Sequence, residues 1–310
     1  MSMNGERAAA YPAVWRPTVA QEAVRLKKRF GREADYVSGG TLLRTQWEAG
    51  LKRMPAHLID LSGVASLSGF ELSGDCLAIG SLMTLTACRH SPELAANFPL
   101  LAQAARSIAA PSVRNAATIG GNVMSVVGDA LPALLAYEAE LDWDKGEARQ
   151  SGTLADWLTK AESGTTDESA LLLRIRLPLR TDAKPALCGL PAQPTYRRFA
   201  CYEKIGRREA FTPSVVTVAL IGRIGEEGRL RGLRLAAGGG RTVPKRLSRA
   251  ETELEGAVAD DRAVARLHEL VMEEYEPEPD AFASASYRKR TAANVVSAQL
   301  WEAVRGYEES

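Results

Sequence analysis

The segment from Pro111 to Asp129, which reads PSVRNAATIGGNVMSVVGD, restricts the fold more than any other part of the chain. In it, Thr118 and Asn122 flank the pair Gly120-Gly121. Because glycine has no Cβ atom, two adjacent glycines let the backbone adopt positive φ values and lie directly against a ligand. Thr and Asn side chains add hydrogen-bond donors and acceptors beside that backbone. The segment therefore predicts a loop that binds a large polar ligand, such as a pyrophosphate.

A second glycine loop lies earlier in the chain. Ser38-Gly39-Gly40-Thr41 follows the strand-like stretch Ala34–Val37 and opens a helical pattern. The N-terminus of a helix presents free N–H groups and the positive end of its dipole, which suits a phosphate. A single Gly-Gly pair is typical of an ordinary turn. Two such pairs, each beside Ser or Thr and far apart in sequence, predict two loops that close on one extended ligand.

Composition excludes several classes of function. The chain has 310 residues, of which 45% are hydrophobic and 25% charged, as expected for a globular protein with two or three compact units. A net charge of +1 gives no electrostatic basis for binding nucleic acid or an anionic membrane. No run approaches the roughly 18 apolar residues of a membrane span. The N-terminal residues lack the apolar core of a secretory signal, so we predict a cytoplasmic protein.

The cysteines and histidines of the chain form no recognisable metal-binding pattern. The four cysteines lack the CxxC spacing that is typical of zinc sites and iron–sulfur clusters. The three histidines form neither an HxxxH nor an HExxH pattern. We therefore predict no metal site in this chain, and no side chain stands out as a catalytic acid or base.

Hydrophobic patterns divide the chain into an N-terminal β-α-β unit, a longer middle region and a C-terminal region. A proline-rich segment at residues 181–195 is predicted to be a linker. Three antiparallel strands are predicted after it, followed by three helices. The strands are Tyr196–Ile205, Ser214–Arg223 and Arg229–Ala237, and the helices are Lys245–Gly256, Arg262–Tyr275 and Ser286–Arg305.

The motifs SGGTLL at residues 38–43 and SVRNAATIGGNV at residues 112–123, followed by Asp129, resemble the FAD-binding subunits of molybdenum hydroxylases. This family includes xanthine dehydrogenase and carbon monoxide dehydrogenase, and the resemblance extends from about Tyr11 to Tyr307. It implies an α+β fold with a two-lobed FAD-binding domain of the vanillyl-alcohol-oxidase type. The lobes would be residues 1–56 and 57–180, and residues 195–310 would form a C-terminal domain with a three-stranded antiparallel sheet and helices.

The resemblance also implies which residues contact the cofactor. Both glycine loops would wrap the pyrophosphate of a non-covalently bound FAD, and Asp129 would meet its sugar chain. Lys204 would lie beside the reducible end of the flavin, where a cation stabilises negative charge on the reduced ring. The candidate FAD-binding residues are Val37, Ser38, Gly39, Gly40, Thr41, Leu42, Asn115, Thr118, Gly120, Gly121, Asn122, Ser125, Asp129, Leu172, Leu173 and Lys204.

Two departures from the family pattern concern this site. Leu42 stands where family members usually carry an Asp. The stretch from Asn122 to Asp129 is shorter than in typical members, so Ser125 is a second candidate for part of the role of Asp129.

The function implied by the resemblance is electron transfer within a multi-subunit enzyme. Electrons would pass from iron–sulfur clusters on a partner chain to FAD and on to NAD⁺, and a molybdopterin subunit would oxidise the substrate. The variant SGGTLLRTQWEAG resembles purine-catabolic xanthine dehydrogenases. A quinone, a ferredoxin and oxygen are alternative acceptors.

Two other functions stay open. One is a stand-alone flavin oxidase of the vanillyl-alcohol-oxidase type. Many of these enzymes attach the flavin through a His or Cys near the pyrophosphate loop, and neither glycine pair here has such a neighbour. The other is a flavin-free scaffold subunit, which the substitution at Leu42 and the shortened loop allow, although the intact TIGGN motif argues against it.

Overall fold

The computed structural model describes residues 11–179, 196–207, 214–225 and 227–308, so the predicted linker at residues 181–195 lies outside the described residues. The first described unit is a three-stranded parallel sheet in the order β1-β3-β2. Two helices supply the crossovers that parallel strands require. The elements are β1 (Ala13–Trp15), α1 (Ala20–Phe30), β2 (Ala34–Val37), α2 (Thr41–Glu48) and β3 (His57–Asp60).

A five-stranded antiparallel sheet in the order β4-β5-β8-β6-β7 forms the second unit. Its strands are β4 (Phe70–Ser73), β5 (Cys76–Gly80), β6 (Glu140–Asp144), β7 (Arg149–Thr153) and β8 (Leu171–Pro178). Seven short helices lie between these strands: α3 (Leu85–His90), α4 (Pro92–Asn97), α5 (Pro99–Ser107), α6 (Pro111–Ala116), α7 (Ile119–Met124), α8 (Leu131–Ala136) and α9 (Leu154–Glu162).

The third unit is a four-stranded antiparallel sheet in the order β12-β11-β10-β9, followed by three helices. Its strands are β9 (Tyr196–Gly206), β10 (Ser214–Gly225), β11 (Leu230–Gly239) and β12 (Thr242–Arg246). The helices are α10 (Ser248–Leu254), α11 (Asp261–Glu274) and α12 (Ala285–Glu308). None of the helices in the described ranges is both long enough and apolar enough to cross a bilayer.

Helix α8 joins the second and third units through one hydrophobic core. All six of its residues are buried, as expected for a helix that is apolar on every side. Ala219 on β10 and Ala236 on β11 are also buried and belong to the core that contains Leu134 of α8. The small alanine side chains let the C-terminal sheet lie close to the helix. The C-terminal unit is therefore packed against the middle unit rather than tethered to it.

The α+β class predicted from the sequence is confirmed, and the C-terminal sheet has one strand more than the predicted three. The fourth strand, Thr242–Arg246, occupies the start of the predicted helix Lys245–Gly256, and the helix itself begins at Ser248. The side chains of Thr242 and Pro244 are buried while Lys245 is exposed, which is the alternation of a strand. Because β12 is an edge strand, it tolerates Pro244.

The strand His57–Asp60, which the sequence-based division placed in the second lobe, lies at the centre of the three-stranded sheet. It pairs with β1 on one side and with β2 on the other. We propose that the first lobe of the FAD-binding domain continues through β3, beyond residue 56.

Replacing Leu134 by alanine tests the role of α8 as the shared core. Leu134 is 0% exposed, so Leu134→Ala leaves a cavity and we expect the free energy of unfolding to fall by roughly 2–5 kcal/mol. Urea unfolding followed by circular dichroism measures the change. Leu51 is 80% exposed, so Leu51→Ala is the matched control and is expected to leave the urea midpoint unchanged. Equal midpoints for both variants would contradict the assignment of α8 to a shared core.

Candidate functional site

The two glycine loops predicted to share a ligand lie in direct contact. The Ser38 and Thr118 hydroxyls are hydrogen-bonded at 3.1 Å, although 80 residues separate them in sequence. Gly39 lies against the backbone of Ala116, and a Cβ atom on Gly39 would be 1.8 Å from the Ala116 carbonyl oxygen. Only glycine permits so close an approach. The position of Gly39 therefore brings the end of β2 and the start of α7 to one place.

The first loop ends at an open helix N-terminus. Val37 is the last residue of β2, and Gly40 adopts φ +64° and is the N-cap of α2. No side chain in the described part of the chain caps this helix, so the N–H groups of its first turn, which begins with Thr41, are available to a ligand. Leu42 follows in the same turn with its side chain 45% exposed. The uncapped helix end presents partial positive charge beside the loop contact.

The second loop is the first turn of the short helix α7 and does not use the positive φ values that we expected for its glycines. The glycines with positive φ in the described part of the chain do not include Gly120 or Gly121. The two residues serve different purposes. The Gly120 N–H donates to the Ser81 carbonyl at 2.9 Å, and a Cβ on Gly120 would lie 2.5 Å from that oxygen. Gly120 is thus a packing residue.

Gly121 forms the exposed surface of the second loop. Its N–H donates to the Thr118 hydroxyl at 3.0 Å, which caps α7. A Cβ on Gly121 would contact the Thr118 hydroxyl at 3.1 Å and the Ser38 hydroxyl at 3.6 Å, both of them side-chain atoms of the two loops. A group placed on Gly121 would therefore point into the space beside the joined loops.

Arg114, the first residue of the Arg-Asn pair before the second loop, has a structural role. The buried Arg114 guanidinium donates to the carbonyls of Ile108 at 3.0 Å and Ala109 at 2.5 Å, and so holds the turn after α5. Asn115 is exposed, and its side-chain oxygen accepts a hydrogen bond from Thr86 at 2.7 Å. Asn115 belongs to the helix that leads into the loop, and its contact is with α3.

Asn122 organises the turn that follows α7. Its side-chain oxygen accepts from the Ala130 N–H at 3.0 Å, and its carbonyl accepts from the Ser125 hydroxyl at 2.6 Å. Gly128 is packed so tightly against Asn122 that a Cβ on it would lie 2.2 Å from the Asn122 carbonyl oxygen. Val126 has φ +65°, which is unfavourable for a β-branched residue. The shortened segment is therefore a constrained turn that delivers Asp129 to one position.

Asp129 is held by three side chains of the C-terminal sheet. Its Oδ2 atom is 2.8 Å from the Lys204 ammonium, and its Oδ1 atom accepts a hydrogen bond from the Ser214 hydroxyl at 2.6 Å. The Tyr202 hydroxyl donates to the Asp129 carbonyl at 2.7 Å. Burial, followed by the charge of Asp129, raises the pKa of Tyr202 well above its ordinary value, so Tyr202 stays a proton donor.

Lys204 is largely buried, with 8% of its side chain exposed, and its ammonium lies 3.3 Å from the Ser107 carbonyl as well as beside Asp129. Although β9 is an edge strand, this location argues against a solvated surface lysine at position 204. Ser214 and Tyr202 were not among the predicted site residues. Residues two apart on a strand lie on the same face, so the prediction of Lys204 could have been extended to Tyr202. No sequence pattern indicated Ser214.

The family resemblance implies that the candidates Leu172 and Leu173 touch the flavin ring; both lie on β8 and are buried. Leu172 belongs to the core of the middle unit, and Leu173 belongs to the core of the three-stranded sheet. The Leu173 carbonyl accepts a hydrogen bond from the Ser81 N–H at 3.0 Å, which connects β8 to the residue that packs on Gly120. A flavin contact of either side chain stays a prediction.

The assembled residues fit a diphosphate. The joined loops offer the uncapped N-terminus of α2, the exposed backbone of Gly121 and the hydroxyls of Ser38 and Thr118 within one small region. Backbone N–H groups and a helix N-terminus are the usual partners of a phosphate in proteins. The turn after the second loop ends at Asp129, whose carboxylate is paired with the Lys204 ammonium. The joined loops therefore suit a diphosphate.

Comparisons with known proteins agree with this geometry. The family model described as "FAD binding domain in molybdopterin dehydrogenase" matches residues 7–180. A second model, "CO dehydrogenase flavoprotein C-terminal domain", matches residues 200–303. The xanthine dehydrogenase FAD-binding subunit of Escherichia coli O157:H7 is 26% identical over 275 residues, which cover 88% of this chain and 89% of that subunit. The carbon monoxide dehydrogenase medium chain of Hydrogenophaga pseudoflava is 31% identical over 164 residues, or 52% of this chain and 57% of that one.

The fold is also found in solved structures. The reconstituted carbon monoxide dehydrogenase from Oligotropha carboxidovorans contains a chain that superimposes with a TM-score of 0.84 at 23% identity, over 96% of this chain and 98% of that one. The match confirms the predicted fold class. Because the family model for the FAD-binding domain covers more than half of the sequence and both glycine loops lie inside it, the chain belongs to the FAD-binding subunits of the molybdenum hydroxylase family, a family of oxidoreductases.

Proposed function

We propose that this chain is the FAD-carrying electron-transfer subunit of a multi-subunit molybdenum hydroxylase similar to xanthine dehydrogenase. The observation that carries the proposal is the contact between the two glycine loops, which places an uncapped helix N-terminus beside the exposed backbone of Gly121. One relative that matches along 88% of the chain is a xanthine dehydrogenase FAD-binding subunit, which supports a purine substrate for the complex. A 6-hydroxypseudooxynicotine dehydrogenase subunit matches along 92% of the chain. Carbon monoxide dehydrogenase medium chains are relatives as well, so the substrate stays a proposal.

The residues of the chain would hold FAD in three places. Gly40 and Thr41 would bind the diphosphate through backbone N–H groups. The N–H of Gly121 is donated to the Thr118 hydroxyl, so Gly121 would contribute by letting the diphosphate lie against a backbone without a Cβ atom. Asp129 would accept hydrogen bonds from the hydroxyls of the sugar chain, and Lys204 would supply positive charge near the reducible ring. When bound, FAD supplies the redox chemistry, which exchanges one or two electrons. The part of this chain is to position the cofactor and to set the electrostatic environment around it.

Partner chains complete the proposed complex. An iron–sulfur subunit would deliver electrons, a molybdopterin subunit would oxidise the substrate, and NAD⁺ would be the acceptor. The family resemblance of the sequence supports these partners. Relatives that are named a medium chain and an FAD-binding subunit support a complex of several subunits. The cytoplasmic location also stays a prediction.

An anaerobic NADH titration of the full chain, loaded with FAD, tests the proposal. We expect visible flavin absorption bands after gel filtration and bleaching of those bands by NADH. Retained bands that NADH leaves unchanged would favour another acceptor or a site completed by a partner chain. Loss of all flavin during gel filtration would overturn the FAD-binding function and favour the scaffold alternative.

Replacing Gly121 by valine tests the diphosphate cradle. A Cβ on Gly121 would lie 3.1 Å from the Thr118 hydroxyl and 3.6 Å from the Ser38 hydroxyl. The Thr118 side chain must shift by a few tenths of an ångström, so Gly121→Val should fold with only a small decrease in the thermal midpoint. The branched side chain would occupy the space proposed for the diphosphate, so we expect FAD binding to be lost. Flavin content after gel filtration and the thermal midpoint are the two measurements.

Gly152→Val is the matched control, because a Cβ on Gly152 meets nothing within 4 Å and this residue lies on β7, away from the loops. It should keep both the fold and the flavin. Gly39→Val should lose both, since its Cβ would overlap the Ala116 carbonyl. A Gly121→Val variant with full flavin content would remove Gly121 from the site.

Replacing Lys204 by alanine tests the electrostatic role of this residue. Lys204→Ala removes a positive charge near the proposed flavin position and leaves the Asp129 carboxylate without its counter-ion. Both changes disfavour added negative charge, so the reduction potential of bound FAD should fall by roughly 30 mV, about 1.4 kcal/mol for two electrons.

Spectroscopic redox titration measures that potential. Lys245 forms a surface ion pair with Glu162 at 3.0 Å, so Lys245→Ala is the control and should leave the potential unchanged. A potential in Lys204→Ala equal to that of the unmodified chain would show that Lys204 does not act on the flavin.

A further inference from the structure

The contacts of Asp129 divide its two carboxylate oxygens between two donors. Lys204 of β9 is paired with Oδ2 at 2.8 Å, and Ser214 of β10 donates to Oδ1 at 2.6 Å. The terminal torsion of an Asp side chain is broad, so one contact leaves the carboxylate free to pivot. Two contacts on different oxygens fix the plane of the carboxylate. Ser214 therefore supplies the second contact that orients the group.

The oriented carboxylate keeps capacity for a ligand. An ionised carboxylate offers about four lone-pair sites, and the contacts with Lys204 and Ser214 use one site on each oxygen. The hydroxyl of Tyr202 binds the backbone carbonyl of Asp129 rather than its side chain. The remaining lone pairs of Asp129 can therefore accept hydrogen bonds from ligand hydroxyls in a fixed direction.

Ser214 is itself held by a buried ionic group of the C-terminal unit. The Gly240 N–H donates to the Ser214 carbonyl at 2.8 Å. The Arg288 guanidinium, which is 0% exposed, donates to the carbonyl of Val215 and packs against Gly240. Asp280 lies 2.5 Å from the same guanidinium. Helix α12 thus fixes the start of β10, where Ser214 lies.

We propose that Ser214 is a positioning residue for the flavin site and that it acts by orienting the Asp129 carboxylate. Arg288 of α12, paired with Asp280 from the segment before that helix, supports Ser214. This inference rests on the proposed FAD-binding function. It extends the site into the C-terminal domain through a residue that sequence patterns did not indicate. The affinity for FAD would then depend on how the C-terminal domain packs against the middle unit.

Titration of the purified full chain with FAD, followed by quenching of flavin fluorescence, tests the proposal. Ser214→Ala removes the donor to Oδ1 and should weaken FAD binding about fivefold. This loss is smaller than the full contribution of a hydrogen bond to a charged group, because Ser214 acts on FAD only through Asp129. Ser214→Thr keeps a hydroxyl on a strand position that suits threonine, so it should restore most of the affinity. Asp280→Asn weakens the support of Arg288 and should give a smaller loss in the same direction.

Ser297→Ala is the matched control, since this buried hydroxyl of α12 has no hydrogen-bond partner among the residues that the structure describes. Its loss should leave FAD affinity unchanged. A double-mutant cycle separates positioning from general destabilisation. In an Asp129→Ala background, adding Ser214→Ala should cause no further loss of affinity if Ser214 acts through Asp129. An equal fivefold loss in both backgrounds would contradict the proposed route.

The outcomes distinguish this inference from the proposed function. If the unmodified chain binds FAD and Ser214→Ala binds it equally well, the positioning role of Ser214 is wrong and the FAD-binding function stands. If the unmodified chain binds no FAD, the proposed function fails and the inference fails with it.

Discussion

The site depends on a backbone contact between two loops that belong to different sheets. Gly39 follows the parallel sheet of the first lobe, and Ala116 precedes the helix α7 of the second. A Cβ on Gly39 would overlap the Ala116 carbonyl, so the two lobes reach this arrangement only with glycine there. The hydrogen bond between Ser38 and Thr118 then fixes the register of the contact. This packing creates a surface for a ligand that neither lobe has alone.

A second set of interactions attaches the C-terminal sheet to the middle unit. Glu138 follows α8 with φ +56°, and its carboxylate is paired with Arg234 of β11 and Arg246 of β12. Burial alone would raise the pKa of Glu138, but the two guanidinium groups outweigh it and hold the pKa below its ordinary value. Because half-exposed ion pairs contribute little stability, the apolar contact of α8 provides most of the attachment and Glu138 fixes its geometry. Lys204 and Ser214 reach Asp129 because the sheet is held in this place.

Much of the fold could be predicted from the sequence, because alternation and helical spacing report burial directly. The strands that carry Lys204 and Ser214 are examples. The fourth strand, which begins at Thr242, could not be distinguished in the sequence from the helix that follows it. Five residues that include a proline are too few to show the alternation of a strand. The roles of the glycines were predicted only in part. A Gly-Gly pair indicates two positions where a side chain does not fit. Whether a ligand or another backbone segment occupies that space depends on residues that are distant in sequence. Gly120 packs on Ser81 and Gly121 faces the open side.

The departure at Leu42 is compatible with the proposed FAD site on electrostatic grounds. An acidic residue in the first turn of a helix interacts favourably with the dipole and with the free N–H groups, so it would compete with a bound phosphate. Leu42 has no such group, and α2 has no side-chain cap in its place. The full partial charge of the helix N-terminus therefore stays available beside Gly40. The substitution removes a competitor for the diphosphate rather than a ligand, which weakens the argument that the chain is a flavin-free scaffold.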